Sequence, residues 1–164
     1  MSVLASKRSE SPLKVYDTAR AIRSDVEKLL LTRFSNENLY SQNVITENGT
    51  EVKTKEVYPQ FLVDKIRDSL LTLFFYLISY IVSANAIYPT NEDEFKNRLS
   101  LHNKVIETCF SIQAELNHCA DLFPQQLHCL LPYADRIGTL TAQARKWKKK
   151  IKDKFAEKQK GVNL

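Results

Sequence analysis

Glycine is what this chain has least of. Three glycines stand among 164 residues, where average usage of roughly 7% would give about 11. Dinucleotide-binding and P-loop sites need glycines clustered at a strand-to-helix turn, and many-stranded β folds need them at tight turns. Gly49, Gly138 and Gly161 lie far apart, so both classes are excluded and a helical protein without a phosphate loop is left. Cysteine is also scarce: Cys109, Cys119 and Cys129 include no close pair, which fits reduced thiols better than a disulfide framework. Met1 to Arg8 has no apolar stretch before a cleavage site, so no export signal is read and a cytoplasmic location is expected.

With 43% hydrophobic and 26% charged residues, the composition is that of a globular chain, and its length suits one core, giving one domain over 1–164. The net charge of +5 conceals an asymmetry. Arg145 to Lys160 carries nine Lys/Arg against Asp153 and Glu157, hence +7, and the remainder of the chain is −2. A polyanion would be drawn to that end rather than to the whole surface.

Ser11-Pro12 forms a cap and first-turn pair, after which Tyr16, Ala19, Ile22, Val26, Leu29, Leu30 and Phe34 recur at three and four residues. This predicts a first helix over about 12–34. Residues 35–58 lose the helical period, and Asn48-Gly49 between two short runs suggests a loop or a small hairpin with a type I′ turn. Pro59 opens a second helix of about thirty residues through Leu62, Ile66, Leu70, Phe74, Leu77 and Ile81 to the Tyr88-Pro89 break. Thr90 or Asn91 caps a third, with acidic Glu92, Asp93 and Glu94 in its first turn and an apolar stripe from Phe95 through Leu99, His102, Ile106, Cys109 and Leu116 to Ala120, ending near Leu122. Leu127, Leu131, Ala134, Ile137, Leu140, Ala144, Trp147, Ile151 and Phe155 mark a fourth, which Pro132 either kinks or starts. The expected fold is all-α, an antiparallel up-down four-helix bundle with an insert between helices 1 and 2.

Between Ser69 and Asn91 no residue is charged. The solid apolar run from Leu70 to Val82 is shorter than the roughly 20 residues of a membrane span, so burial on all sides is the simpler reading and no membrane partner is expected. Leu71, Phe75, Ile78 and Val82 lie away from the core stripe and are the expected interface of a homo-oligomer. His118-Cys119 and His128-Cys129 repeat ten residues apart, but adjacent helical residues point about 100° apart and no ligand set shares a face, so packing is expected and no metal or cofactor. His102 reads as a core histidine. Arg98 with His102 resembles the Arg/His pair of the HEPN ribonucleases, although three residues separate them here against four to six in that family. An RNase of that kind is the competing enzyme reading; a toxin–antitoxin component or a purely structural interaction bundle are further alternatives.

The basic end is either a solubilising terminus or a phosphate-binding surface. Trp147, Ile151 and Phe155 would dock one edge on the bundle and leave Arg145, Lys146, Lys148, Lys149, Lys150, Lys152 and Lys154 to meet nucleic acid, RNA rather than DNA, with Lys7 and Arg8 assisting.

Three patches carry a family resemblance: Ser2, Val3, Leu4, Ser6, Lys7, Arg8, Glu10 and Ser11; Ala84 to Pro89 with Glu94 and Arg98; and Lys146-Trp147-Lys148. Together they resemble the four-helix-bundle family of proteins encoded in ribosomal RNA intervening sequences and of the accessory variability determinant of diversity-generating retroelements. The resemblance implies a small basic bundle without a catalytic site. In the retroelement branch it implies a ring-like pentamer that binds the reverse transcriptase and its template RNA.

Overall fold

The computed structural model describes residues 10–32, 43–45, 48–49, 51–53, 59–122 and 127–162. Four α-helices dominate it: α1 (Glu10–Thr32), α2 (Gln60–Ala86), α3 (Glu92–Leu122) and α4 (Leu127–Val162). The fold is an all-α four-helix bundle. Each helix packs on two others in the cycle α1, α2, α3, α4, and among the described residues the backbones of the diagonal pairs do not come close. Contacts that run in opposite senses along the two chains set α2 antiparallel to α3: Arg98 meets Ile87, and Lys104 lies over the Tyr80 ring. The same holds for α3 and α4, where Phe95 meets Phe155 and His102 meets Trp147.

Sequence periodicity produces one core. Ala19, Ile22 and Val26 of α1, Leu70, Phe74 and Leu77 of α2, Val105, Ile112 and Leu116 of α3, and Ile137, Leu140 and Trp147 of α4 are buried in a single cluster. All lie at helical spacing, so each helix presents one stripe inward. Cys109 and Cys119 belong to the cluster, and burial pushes their thiols up to about 11 and about 12, which keeps them protonated and inert.

Several boundaries differ from the sequence reading. α1 starts at Glu10, so Ser11 and Pro12 lie inside its first turn, where amide N–H groups have no helical acceptor and proline costs nothing. Pro59 stands just outside α2, with φ −55° and ψ 128°. Val63 rather than Leu62 is buried on α2, and Leu130 rather than Leu131 on α4. Pro132, expected either to kink the fourth helix or to start it, does not start it: it is the sixth residue of α4, where it lacks the N–H that would bond the His128 carbonyl. Asn43–Ile45 and Glu51–Lys53 form a short antiparallel pair, β1 and β2. Gly49 has φ +75° and Asn48 has no positive φ, so the turn is not type I′, which needs both.

The start of α3 is capped by its own side chains. Asn91 Oδ1 accepts from the Glu94 amide at 2.9 Å, and Glu94 Oε2 accepts from Thr90 N at 2.7 Å and Thr90 Oγ1 at 2.8 Å. These bonds hold the Glu94 carboxyl below its ordinary value. Loss of an N-cap side chain costs ~1 kcal/mol, so Asn91→Ala is expected to lower unfolding free energy in urea by about that much, with helicity unchanged in the native baseline.

Candidate nucleic-acid interface

The basic end of α4 is anchored by an aromatic seam. Trp147 is the largest fully buried side chain, and its ring meets His102 of α3 edge-on at 4.1 Å between centroids. Two turns further on, Phe155 stacks on Phe95 at 4.0 Å and an interplanar angle of 4°. Ile151, half-buried, lies between them. Because 147, 151 and 155 share one helical edge, docking that edge orients the cations of the neighbouring positions.

Four of the predicted cations converge. Arg145, Lys148, Lys149 and Lys152 line an open groove of about 440 Å³ between α3 and α4, together with Asn103, Ile106 and Glu107 of α3. Lys148 Nζ donates to Asn103 Oδ1, and the Arg145 guanidinium lies over the Phe110 ring at 5.5 Å. These contacts hold two cations in place without neutralising them. Lys146 and Lys150 are exposed and do not line this groove. Lys154 faces a different pocket, with Lys158, Arg98 and Tyr88. Lys7 and Arg8 lie outside the described residues, as does the His128 side chain. Asn103 and Glu107 were invisible to sequence reasoning, since their neighbourhood with α4 arises only from helix packing.

The seam also contains a buried polar layer. His102 has no exposed surface, and neither ring nitrogen finds a hydrogen-bond partner among the described residues; the same holds for Trp147 Nε1 and Arg98 Nε. Burial, with the Arg98 and Lys148 charges adding to it, pushes the His102 imidazole down to about 4. The ring is therefore neutral at pH 7. Arg98 is 6% exposed, donates from one Nη to the Ile87 carbonyl at 2.6 Å, and is held below its ordinary value by burial.

Among the described residues no three His, Cys, Asp or Glu side chains gather where they could hold a metal. The predicted interface on α2 divides: Leu71, Phe75 and Val82 are exposed, Phe75 by 59%, and Ile78 is half-buried against the core. Tyr76 adds to the exposed apolar surface. By length and composition α2 is also able to cross a membrane.

No family model, no curated protein and no solved structure matches the chain.

The depressed His102 fixes the sign of a pH effect. With a folded value of about 4 against 6.5 unfolded, the unfolded chain binds the proton first as pH falls. Stability is full above about 6.5, declines towards pH 4 and loses nothing more from this group below it. A gap of about 2.5 pH units corresponds to about 3 kcal/mol at 1.36 per unit. His102→Phe is expected to flatten this part of the stability–pH curve measured by urea unfolding.

Proposed function

We propose that the protein is a non-enzymatic, cytoplasmic accessory subunit that binds RNA through the α3/α4 groove and self-associates through α2. One observation carries the reading: Arg145, Lys148, Lys149 and Lys152 converge on one groove while the adjacent edge of the same helix is locked into the core. Ordered cations in a groove suit a phosphate backbone, whereas a solubilising tail needs no convergence. Arg145 over Phe110 adds a flat surface of the kind that bases stack on. Extended by the family resemblance, the reading makes the partner a retroelement reverse transcriptase with its template RNA and the oligomer a pentamer.

Self-association is supported by spacing. Leu71, Phe75, Ile78 and Val82 recur at four, three and four residues, the seam of a helix–helix pair. Thr72, Ser79 and Ser83 beside them are small enough for close approach. A second copy of α2 fits this face better than lipid, because α2 lies directly against α3, whose Glu94, Lys96, Lys104, Glu107 and Glu115 would have to enter the hydrocarbon with it. The full burial and lowered pKa of His102 weigh against the ribonuclease reading, since a general acid or base must come within hydrogen-bond reach of its substrate.

The triple variant Lys148→Gln, Lys149→Gln, Lys152→Gln is expected to keep its helicity and weaken RNA binding. At roughly 0.7 per single-strand phosphate contact, the slope of log affinity against log salt should become shallower by about 2. Lys146→Gln with Lys150→Gln, outside the groove, should change the slope less. Equal binding by the triple variant and the parent across salt concentrations would sink the assignment.

The parent is expected to sediment as an oligomer at tens of micromolar, roughly where interfaces of ordinary size associate. Leu71→Glu with Phe75→Glu should give a folded monomer, since both side chains are exposed and neither supports the core. A parent that is monomeric under those conditions rules out the α2 interface.

A further inference from the structure

A second pocket, of about 290 Å³, lies between the α2–α3 connection and the last turns of α4, lined by Tyr88, Pro89, Thr90, Arg98, Ile151, Lys154, Phe155 and Lys158. We propose that it binds a nucleoside phosphomonoester, with the phosphate on Arg98, Lys154 and Lys158 and the nucleoside against Tyr88 and Phe155. The site is separate from the α3/α4 groove and does not depend on RNA binding there.

The argument starts from Arg98. Its side chain is 94% buried by its 6% exposure, its Nε has no hydrogen-bond partner, and among the described residues no carboxylate pairs with it. A buried guanidinium without a counter-charge is costly, and an anion in the pocket relieves that cost. The planar fork of donors suits phosphate oxygens, and the bond to the Ile87 carbonyl fixes its position. Lys154 and Lys158 are exposed at the same pocket and bring two more cations to it. Glu94 is close enough to Lys158 for the two charges to attract, but its carboxylate is also engaged by Thr90 N and Thr90 Oγ1 and does not line the pocket, whereas Glu107 does line the α3/α4 groove.

The walls decide what the anion carries. Tyr88, Pro89, Ile151 and Phe155 give the pocket an apolar lining that a bare inorganic ion would leave unused. Tyr88 lies over Arg98 at 6.0 Å and is otherwise exposed, so its ring is free for a base to stack on. The volume stands at the lower end of small-molecule sites, about 300 Å³, enough for a phosphate and one nucleoside face. A free mononucleotide and the phosphorylated end of a strand present the same chemistry.

The test is calorimetric titration of the full chain with AMP, adenosine and inorganic phosphate, and with a short oligoribonucleotide carrying either a 5′-phosphate or a 5′-hydroxyl. AMP is expected to bind, inorganic phosphate more weakly, and adenosine not measurably. Each of Lys154→Gln and Lys158→Gln should weaken AMP by about tenfold, the factor for 1.4 kcal/mol, while Lys148→Gln with Lys149→Gln leaves it unchanged. Both pocket lysines are exposed, so these variants remain folded even if Arg98→Gln does not. Tighter binding of the phosphorylated oligonucleotide than of its hydroxyl twin assigns the site to a strand end; AMP binding without that preference assigns it to a free nucleotide. No AMP binding at about 10 mM, far above any specific Kd, or adenosine or inorganic phosphate binding as well as AMP, or a Lys154→Gln/Lys158→Gln variant that binds like the parent, overturns the proposal. Loss of RNA binding in the groove variant with AMP binding retained would leave this site standing alone.

Discussion

The contact between Trp147 and His102 is the one on which the basic end of the molecule depends. Beyond Leu140 and Ala144, α4 offers the core little besides Trp147, Ile151 and Phe155, and most of the other residues from Lys146 to Lys160 are lysines at the surface. A lysine-rich helix that far from a core frays through mutual repulsion of its side chains. Trp147 prevents this by filling the space against α3 with the largest buried side chain in the chain. The arrangement has a cost: its indole N–H and both His102 nitrogens are buried without partners among the described residues. Such groups each cost about 1–3 kcal/mol, so this stretch of the seam is held by packing in spite of its polar atoms.

α2 is constrained in the opposite way. Its inner stripe, Val63, Ile66, Leu70, Phe74, Leu77, Ile81 and Ala84, is as buried as any in the bundle. Its outer side carries no charge after Asp68, although that side is exposed. A solvated helix face normally holds lysine and glutamate, as α3 does with Lys96, Lys104 and Glu107. Nothing in the packing of a single bundle requires Phe75 or Val82 to be apolar. The proposed self-association would supply such a requirement, and the heptad-like spacing of the exposed side chains suits another helix.

The helices were legible because each apolar stripe repeats at the helical period over many turns. What the period leaves open is phase within a continuous apolar run. In Phe61-Leu62-Val63 and Leu130-Leu131 every candidate is apolar, so one-residue shifts were undecidable until the neighbouring helices were placed. Pro132 was ambiguous for a related reason: proline signals both helix starts and kinks, and only the extent of α4 separates them. The basic cluster was legible as composition, but its division was not. Arg145, Lys148, Lys149 and Lys152 share a groove with Asn103 and Glu107, while Lys154 and Lys158 share a pocket with Arg98. Arg98 itself was read for its spacing to His102. A charged side chain gives no sign in sequence that it is buried, because burial there follows from the turn at Ile87 to Pro89 folding back over α3.

The placement of α2 and α4 at opposite corners of the bundle joins the two proposed surfaces. In the proposed assembly, association through the outer face of α2, whose backbone does not approach that of α4 among the described residues, would leave each copy's α3/α4 groove open. Each subunit would add its own set of cations to the same assembly, and one RNA reaching several grooves would bind with the gain that comes from linked sites. A single groove with four cations and one glutamate is weak against a flexible polyanion at physiological salt, because a few phosphate contacts are screened readily. Several grooves in one particle are not weak, and the salt slope of the whole would be steeper than that of one subunit by the number of grooves engaged. On this view the apolar face of α2 and the basic edge of α4 serve one purpose. The first supplies the multiplicity that the second needs.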